Sequence, residues 1–182
     1  MLSGSKLKEC CEERVVGVNH LAGHVSRGGL SREDAASAIR NWQRGLYKPM
    51  PTTADVEHLA AGLGVEAVAI SEWRASCRYA PTAPRKARLL TELIAGRPVQ
   101  EALDVLKFEH KRAARMVEKL LRSAIANADE AEADVERLVV SEARVDGAGR
   151  RLGTKGWIPK DRGRAHPIRK EASHIHITVT EE

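Results

Sequence analysis

Between two segments that alternate like strands lies LGTKGWIPKDRGRAHPIRK, Leu152–Lys170. Its larger apolar side chains are Leu152, Trp157, Ile158 and Ile168, too few to offset the entropy of ordering the stretch. A chain with such an arm has to build its core elsewhere and project the arm from it. An extended strand rises about 3.3 Å per residue, so a hairpin with roughly twelve residues per side reaches about 40 Å. A two-stranded ribbon is marginal in water by itself, and long insertions in compact domains are usually functional or disordered. Two readings follow: a basic finger fixed by lying against a polyanion, or a solvated basic loop with no specific partner. Gly153, Gly156 and Gly163 let backbone approach closely, and the arginines offer forked phosphate contacts.

The flanks supply a body for the arm. VERLVVSEARV (135–145) and SHIHITVT (173–180) read as strands. In the second, Ile175, Ile177 and Val179 face one way, and His174, His176, Thr178 and Thr180 the other. EWRASCRYA (72–80) sets Trp73, Ala75, Cys77 and Tyr79 against a face with Arg74, Ser76 and Arg78, the period of a half-buried strand. PTAPRKARLLTELIAGRP then reads as a helix with Thr82 as cap, Pro84 in its first turn and Gly96 and Pro98 as its stop. Leu89, Leu90, Leu93 and Ile94 form its expected buried stripe. VQEALDVLKF (99–108) is a short helix with Ala102, Val105 and Leu106 on its apolar face. The longest helix is read over 109–130, buried along Ala113, Val117, Leu120, Ala124 and Ala128 and widened by Met116, Leu121 and Ile125.

The net charge of +5 hides segregation. Residues 1–71 hold eight basic and eight acidic side chains. Residues 78–122 hold eleven basic and five acidic, residues 123–143 one basic and six acidic, and residues 144–170 nine basic and two acidic. Two basic blocks separated by an acidic one point to a polyanion touched at chosen places. Arg85, Lys86 and Arg88 crowd the start of a helix, where the macrodipole disfavours cations unless a phosphate sits there. Lys111, Arg115, Lys119 and Arg122 share one helix face with only Glu118 near them, a mild repulsion unless an anion lies alongside.

Other chemistry finds little support. Cys10, Cys11 and Cys77 form no CxxC pair, which suits a reducing cytoplasm. The N-terminus has no apolar signal core and no run approaches membrane-spanning length, so no membrane partner is expected. His174 and His176 share a strand face, and His20 and His24 lie four apart, without further ligands at metal spacing. No P-loop, dinucleotide glycine pattern, nucleophile elbow or carboxylate pair is present, so neither cofactor, metal nor enzymatic activity is expected.

APTAPRKARLL, GRPVQEALDVLKF, KRAARMVEKLLRSAIANA and DRGRAHPIRKEASHIHITV, in this order and spacing, resemble the bacterial large-subunit ribosomal protein twenty-two family. The resemblance runs from about Glu72 to the C-terminus. It implies an α+β fold: three helices on a small antiparallel sheet with a long protruding β-hairpin at about 145–172, within a 72–182 domain that binds rRNA. It implies a cytoplasmic, ribosome-bound structural constituent of the large subunit that supports assembly, with the hairpin tip lining the polypeptide exit tunnel. The partners implied are large-subunit rRNA, neighbouring large-subunit proteins and the nascent polypeptide. Charge and resemblance together assign Arg78, Arg85, Lys86, Arg88, Lys111, Arg112, Arg115, Lys119, Arg144, Arg150, Arg151, Lys155, Lys160, Arg162, Arg164, Arg169 and Lys170 to rRNA binding. Lys155, Gly156, Trp157, Ile158, Pro159 and Lys160 are the expected tunnel tip. Trp157, Ile158 and Asp161 depart from a region that the family usually keeps basic.

Residues 1–71 lie outside that pattern and are expected to form a small all-α domain. SAIRNWQRGLYKPMPTTADVEHLAAGLGV (37–65) resembles the back half of a Cro/repressor-type helix-turn-helix. The turn expected between EDAA and SAIRNW lacks several residues, so two helices of that motif are expected to fuse. If DNA were read, Ser37, Arg40, Asn41 and Arg44 would read it, giving a transcription regulator as the alternative function. The zero net charge of the segment favours a helical bundle docked on the ribosome surface instead.

Overall fold

The computed structural model describes residues 1–25, 31–151, 153 and 156–181. Two compact units divide the chain: Met1–Trp73 joined by the C-terminal residues from Thr180, and Arg74–Val179.

The first unit is helical. Helix α1 (Gly4–Glu13), the single turn α2 (Val18–Leu21), α3 (Arg32–Gln43) and α4 (Thr53–Leu63) surround a core of Leu2, Leu7, Leu21, Ile39, Trp42, Leu59 and Ile70. Ser31 caps α3 by accepting from the Asp34 amide at 3.2 Å. Thr52 and Asp55 form a reciprocal capping box on α4, which ends at Gly64 in the left-handed region (φ 66°). Trp42 is buried, and its indole N–H donates to the Pro49 carbonyl at 2.6 Å. EDAA and SAIRNW lie on one unbroken helix, α3, with no turn between them.

The second unit is α+β. Strands β1 (Trp73–Ala80), β2 (Leu138–Arg150) and β5 (Glu171–Glu181) form a sheet in the order β1–β5–β2. Helices α5 (Pro84–Ile94), α6 (Val99–Phe108) and α7 (Arg112–Asp129) pack together, with α5 and α6 also against β2. The central strand contributes Ile175, Ile177 and Val179, each fully buried. Gly96, at φ 73°, turns the chain so that its amide reaches the Val140 carbonyl at 2.8 Å while Val140 donates to Arg97 at 3.0 Å. A residue with a Cβ strains at that φ; the helix has already ended at Ile94, with Ala95 extended.

Beyond β2 the arm continues as a ribbon. β3 (Trp157–Lys160) pairs antiparallel with β4 (Arg164–Pro167), with Trp157 opposite Pro167 and Lys160 opposite Arg164. Lower down, the Arg151 amide donates to Lys170 at 2.8 Å and the Ile168 amide to Gly156 at 2.7 Å. Asp161, Arg162 and Gly163 all take positive φ and make the reversal. All eight residues of β3 and β4 are exposed.

Several sequence expectations shift by one physical cause or another. Tyr79 is 63% exposed rather than on the buried face, because its φ of 54° breaks the alternation and turns Ala80 inward instead. Thr82 does not cap α5; Ala83 holds that position and no side chain caps the helix. The buried stripe of α5 is Ala87, Leu90, Thr91 and Ile94, while Leu89 is exposed and Leu93 half-buried. On α6, Leu103 is buried and Val105 only half-buried. Helix α7 begins at Arg112, not 109, and β2 starts at Leu138 after a 3-10 turn over Val135–Arg137. Thr178 and Thr180, expected on the face away from the isoleucines, are buried as well.

Candidate nucleic-acid interface

The start of α5, the start of α7 and the base of the arm converge on one groove of about 750 Å³. Its cations are Lys86, Lys111, Arg112, Arg151, Arg169 and Lys170, and its single carboxylate is Glu171. Neither helix has a side-chain cap or an acidic residue in its first turn. The N-terminal turns of two helices and six cations therefore line the same space. Each helix start carries roughly half a positive charge, so the groove is electrostatically costly when empty and complementary to phosphate. Lys111 is partly offset by Glu109 at 3.1 Å.

Pro81, Thr82, Ala83, Leu89 and Ala113 complete the groove wall. Sequence reasoning missed Leu89 in this role because it took the larger leucines for core. The spacing of Ala87, Leu90, Thr91 and Ile94 is the helical signal that would have set Leu89 on the outer face.

The other expected contact residues are distributed differently. Arg85 is exposed beside Lys86, whereas Arg88 turns to the Val145 carbonyl at 3.4 Å. Arg115 and Lys119 stay exposed along α7, and Arg122 is held by Glu118 at 2.9 Å. Arg78 is exposed on β1, and Arg150 at the end of β2. Arg144 meets Asp146 at 3.4 Å, and His176 approaches the same carboxylate at 3.7 Å. Lys160, Arg162 and Arg164 are exposed at the end of the ribbon; Lys155 lies outside the described residues. The expected tip, Lys155–Lys160, includes one leg of the ribbon, and the reversal itself falls just beyond it at Asp161–Gly163. Asp161 is spent locally, on His166 Nε2 at 3.0 Å.

His174 Nδ1 accepts from the Tyr79 amide at 3.1 Å, with the Tyr79 ring edge-on to it. Burial pushes the Cys10 and Cys11 thiols up, away from the reactive thiolate. No group of three or more His, Cys, Asp or Glu could hold a metal ion among the described residues, and no helix among them is long and apolar enough to cross a membrane. The four expected DNA-reading residues belong to α3 and its C-terminus: Ser37, Arg40 and Arg44 are exposed, but Asn41 donates to the Lys48 carbonyl at 3.2 Å.

The family model described as ribosomal protein L22p/L17e matches residues 75–180, which build the groove, the ribbon and nearly all of the sheet. The chain belongs to this family. Among its relatives is large ribosomal subunit protein uL22 of Aquifex pyrophilus, 49% identical over 105 residues, 58% of this chain and 77% of that protein. The uL22 of Sorangium cellulosum is 41% identical over 108 residues, 59% of this chain and 96% of the relative. That of Lactobacillus delbrueckii subsp. bulgaricus is 49% identical over 114 residues, 62% and 94%. Residues 1–74 fall outside the family match.

Proposed function

We propose that this protein is a structural, non-catalytic constituent of the cytoplasmic large ribosomal subunit, where it binds large-subunit rRNA, supports assembly and contacts neighbouring ribosomal proteins. The groove carries this reading: six cations and two uncapped helix starts around one carboxylate make sense when rRNA phosphates lie between them. Arg85, Arg115, Lys119, Arg78, Arg144 and Arg150 extend the contact along α5, α7, β1 and β2, and Arg88 anchors α5 to β2 beside it. The division of labour follows the chain: a helical extension over 1–71 and an rRNA-binding domain over 72–182.

The arm threads into rRNA, with Lys160, Arg162 and Arg164 on phosphates near its end. Its Lys155–Lys160 segment lines the exit tunnel, where Trp157, 62% exposed, meets the nascent polypeptide. The ribbon takes its rigidity from that RNA, because none of its paired residues is buried.

A salt titration of binding to in-vitro transcribed large-subunit rRNA tests the groove. Each phosphate neutralised contributes about 0.7–0.9 to the slope of log affinity against log salt. Lys86→Gln with Arg112→Gln and Lys170→Gln should lower that slope by about two. An unchanged slope would remove the groove from the interface.

A further inference from the structure

The helical unit holds a second cationic surface that the family match does not reach. Lys8 on α1, with Arg40, Gln43 and Arg44 at the C-terminal end of α3, lines an open groove of about 470 Å³ with no carboxylate in its wall. The cations of this unit are not equivalent. Lys6, Arg14 and Arg32 are committed to its own backbone, donating to the carbonyls of Glu181 (2.6 Å), Gly64 (3.1 Å) and Asn19 (3.1 Å). Among the described residues, Lys8 has one loose surface pair, with Glu12 at 3.6 Å. Arg40 and Arg44 meet no carboxylate among the described residues. The zero net charge of residues 1–71 thus conceals a local surplus.

The juxtaposition is built. A Cβ on Gly4 would stand 2.2 Å from the Trp42 carbonyl oxygen, so only glycine lets the start of α1 reach the end of α3. That approach brings Lys8 beside the two arginines. Arg40 and Arg44, four apart on one helix, repel each other; the helix dipole offsets part of this, since both sit at the C-terminal end. Lys8 adds a third cation to the same groove, offset only by its exposed pair with Glu12.

We propose that Lys8, Arg40 and Arg44 form an RNA phosphate contact, a second anchor that fastens the helical unit to the nucleic acid bound by the family domain. This rests on the rRNA-binding reading above. The probe is in-vitro transcribed large-subunit rRNA, titrated with salt against the full-length wild type, Lys8→Gln/Arg40→Gln/Arg44→Gln, and the groove variant of the previous section. The expected result is a slope lower by about two in the triple variant and affinity weaker on the order of tenfold at moderate salt. A wild-type slope in the triple variant, with the groove variant still impaired, would overturn this inference alone. A changed melting temperature with an unchanged slope would assign the three cations to helix stability and likewise overturn it. Wild-type binding by both variants would overturn the rRNA reading beneath it. Duplex DNA bound as tightly as rRNA, and lost in the triple variant, would mark a DNA surface and reject the RNA assignment.

Discussion

The sheet of the body and the ribbon of the arm share backbone pairing and little else. At the body, β5 lies between β1 and β2 and buries Ile175, Ile177 and Val179 completely. At the far end, β3 and β4 pair in good register yet bury nothing. Backbone pairing is therefore not what separates them. Ladder hydrogen bonds largely exchange for bonds to water, with a net gain of about 0.5–1.5 kcal/mol each, whereas a buried isoleucine contributes about 1.5–3 kcal/mol by its area alone. The sheet is held by side chains it buries; the ribbon buries none.

That contrast is sharpened first by two like substitutions. Ile177→Ala should cost about 2–5 kcal/mol in chemical denaturation, since it opens a cavity in the sheet. Ile158→Ala, from a side chain 47% exposed, should change stability by less than about 0.5 kcal/mol. Equal costs would break the comparison. A smaller effect comes from two glycines with similar backbone. Gly96 and Gly163 have φ of 73° and 84°, and an added Cβ costs roughly 1–2 kcal/mol in that region. Gly96→Ala should show this in global stability, because it joins α5 to the edge of β2. Gly163→Ala should leave global stability unchanged and appear instead as weaker rRNA binding. A loss of global stability at Gly163 would mean the ribbon folds with the body.

How legible each part was follows the same divide. Strong periodicity located α5, α6 and α7, and the isoleucines of β5 named the core strand, because burial there leaves a sequence signature. The errors fell where volume misled or backbone intervened. Leu89 is large and apolar but lies on the outer face of α5, while Ala87 and Thr91 do the packing. Tyr79 obeys the alternation in sequence and departs from it through one positive φ. The cations of the groove were all named from charge and resemblance together, yet their convergence was not visible, since Lys86, Lys111 and Arg151 are brought together only by the packing of α5, α7 and the sheet. The arm's composition announced that it could not bury itself; its pairing register and the turn at Asp161–Gly163 were beyond what a pattern without alternation can specify.

The outer ribbon is proposed to draw its rigidity from ribosomal RNA. Amide hydrogen exchange on the full-length protein, free and bound to large-subunit rRNA, measures this residue by residue. The expected result is slow exchange at Ile175 and Ile177 in both states, and fast exchange across Trp157–Lys160 and Arg164–Pro167 that slows only with RNA. Ribbon amides protected in the free protein as strongly as those of β5 would contradict it.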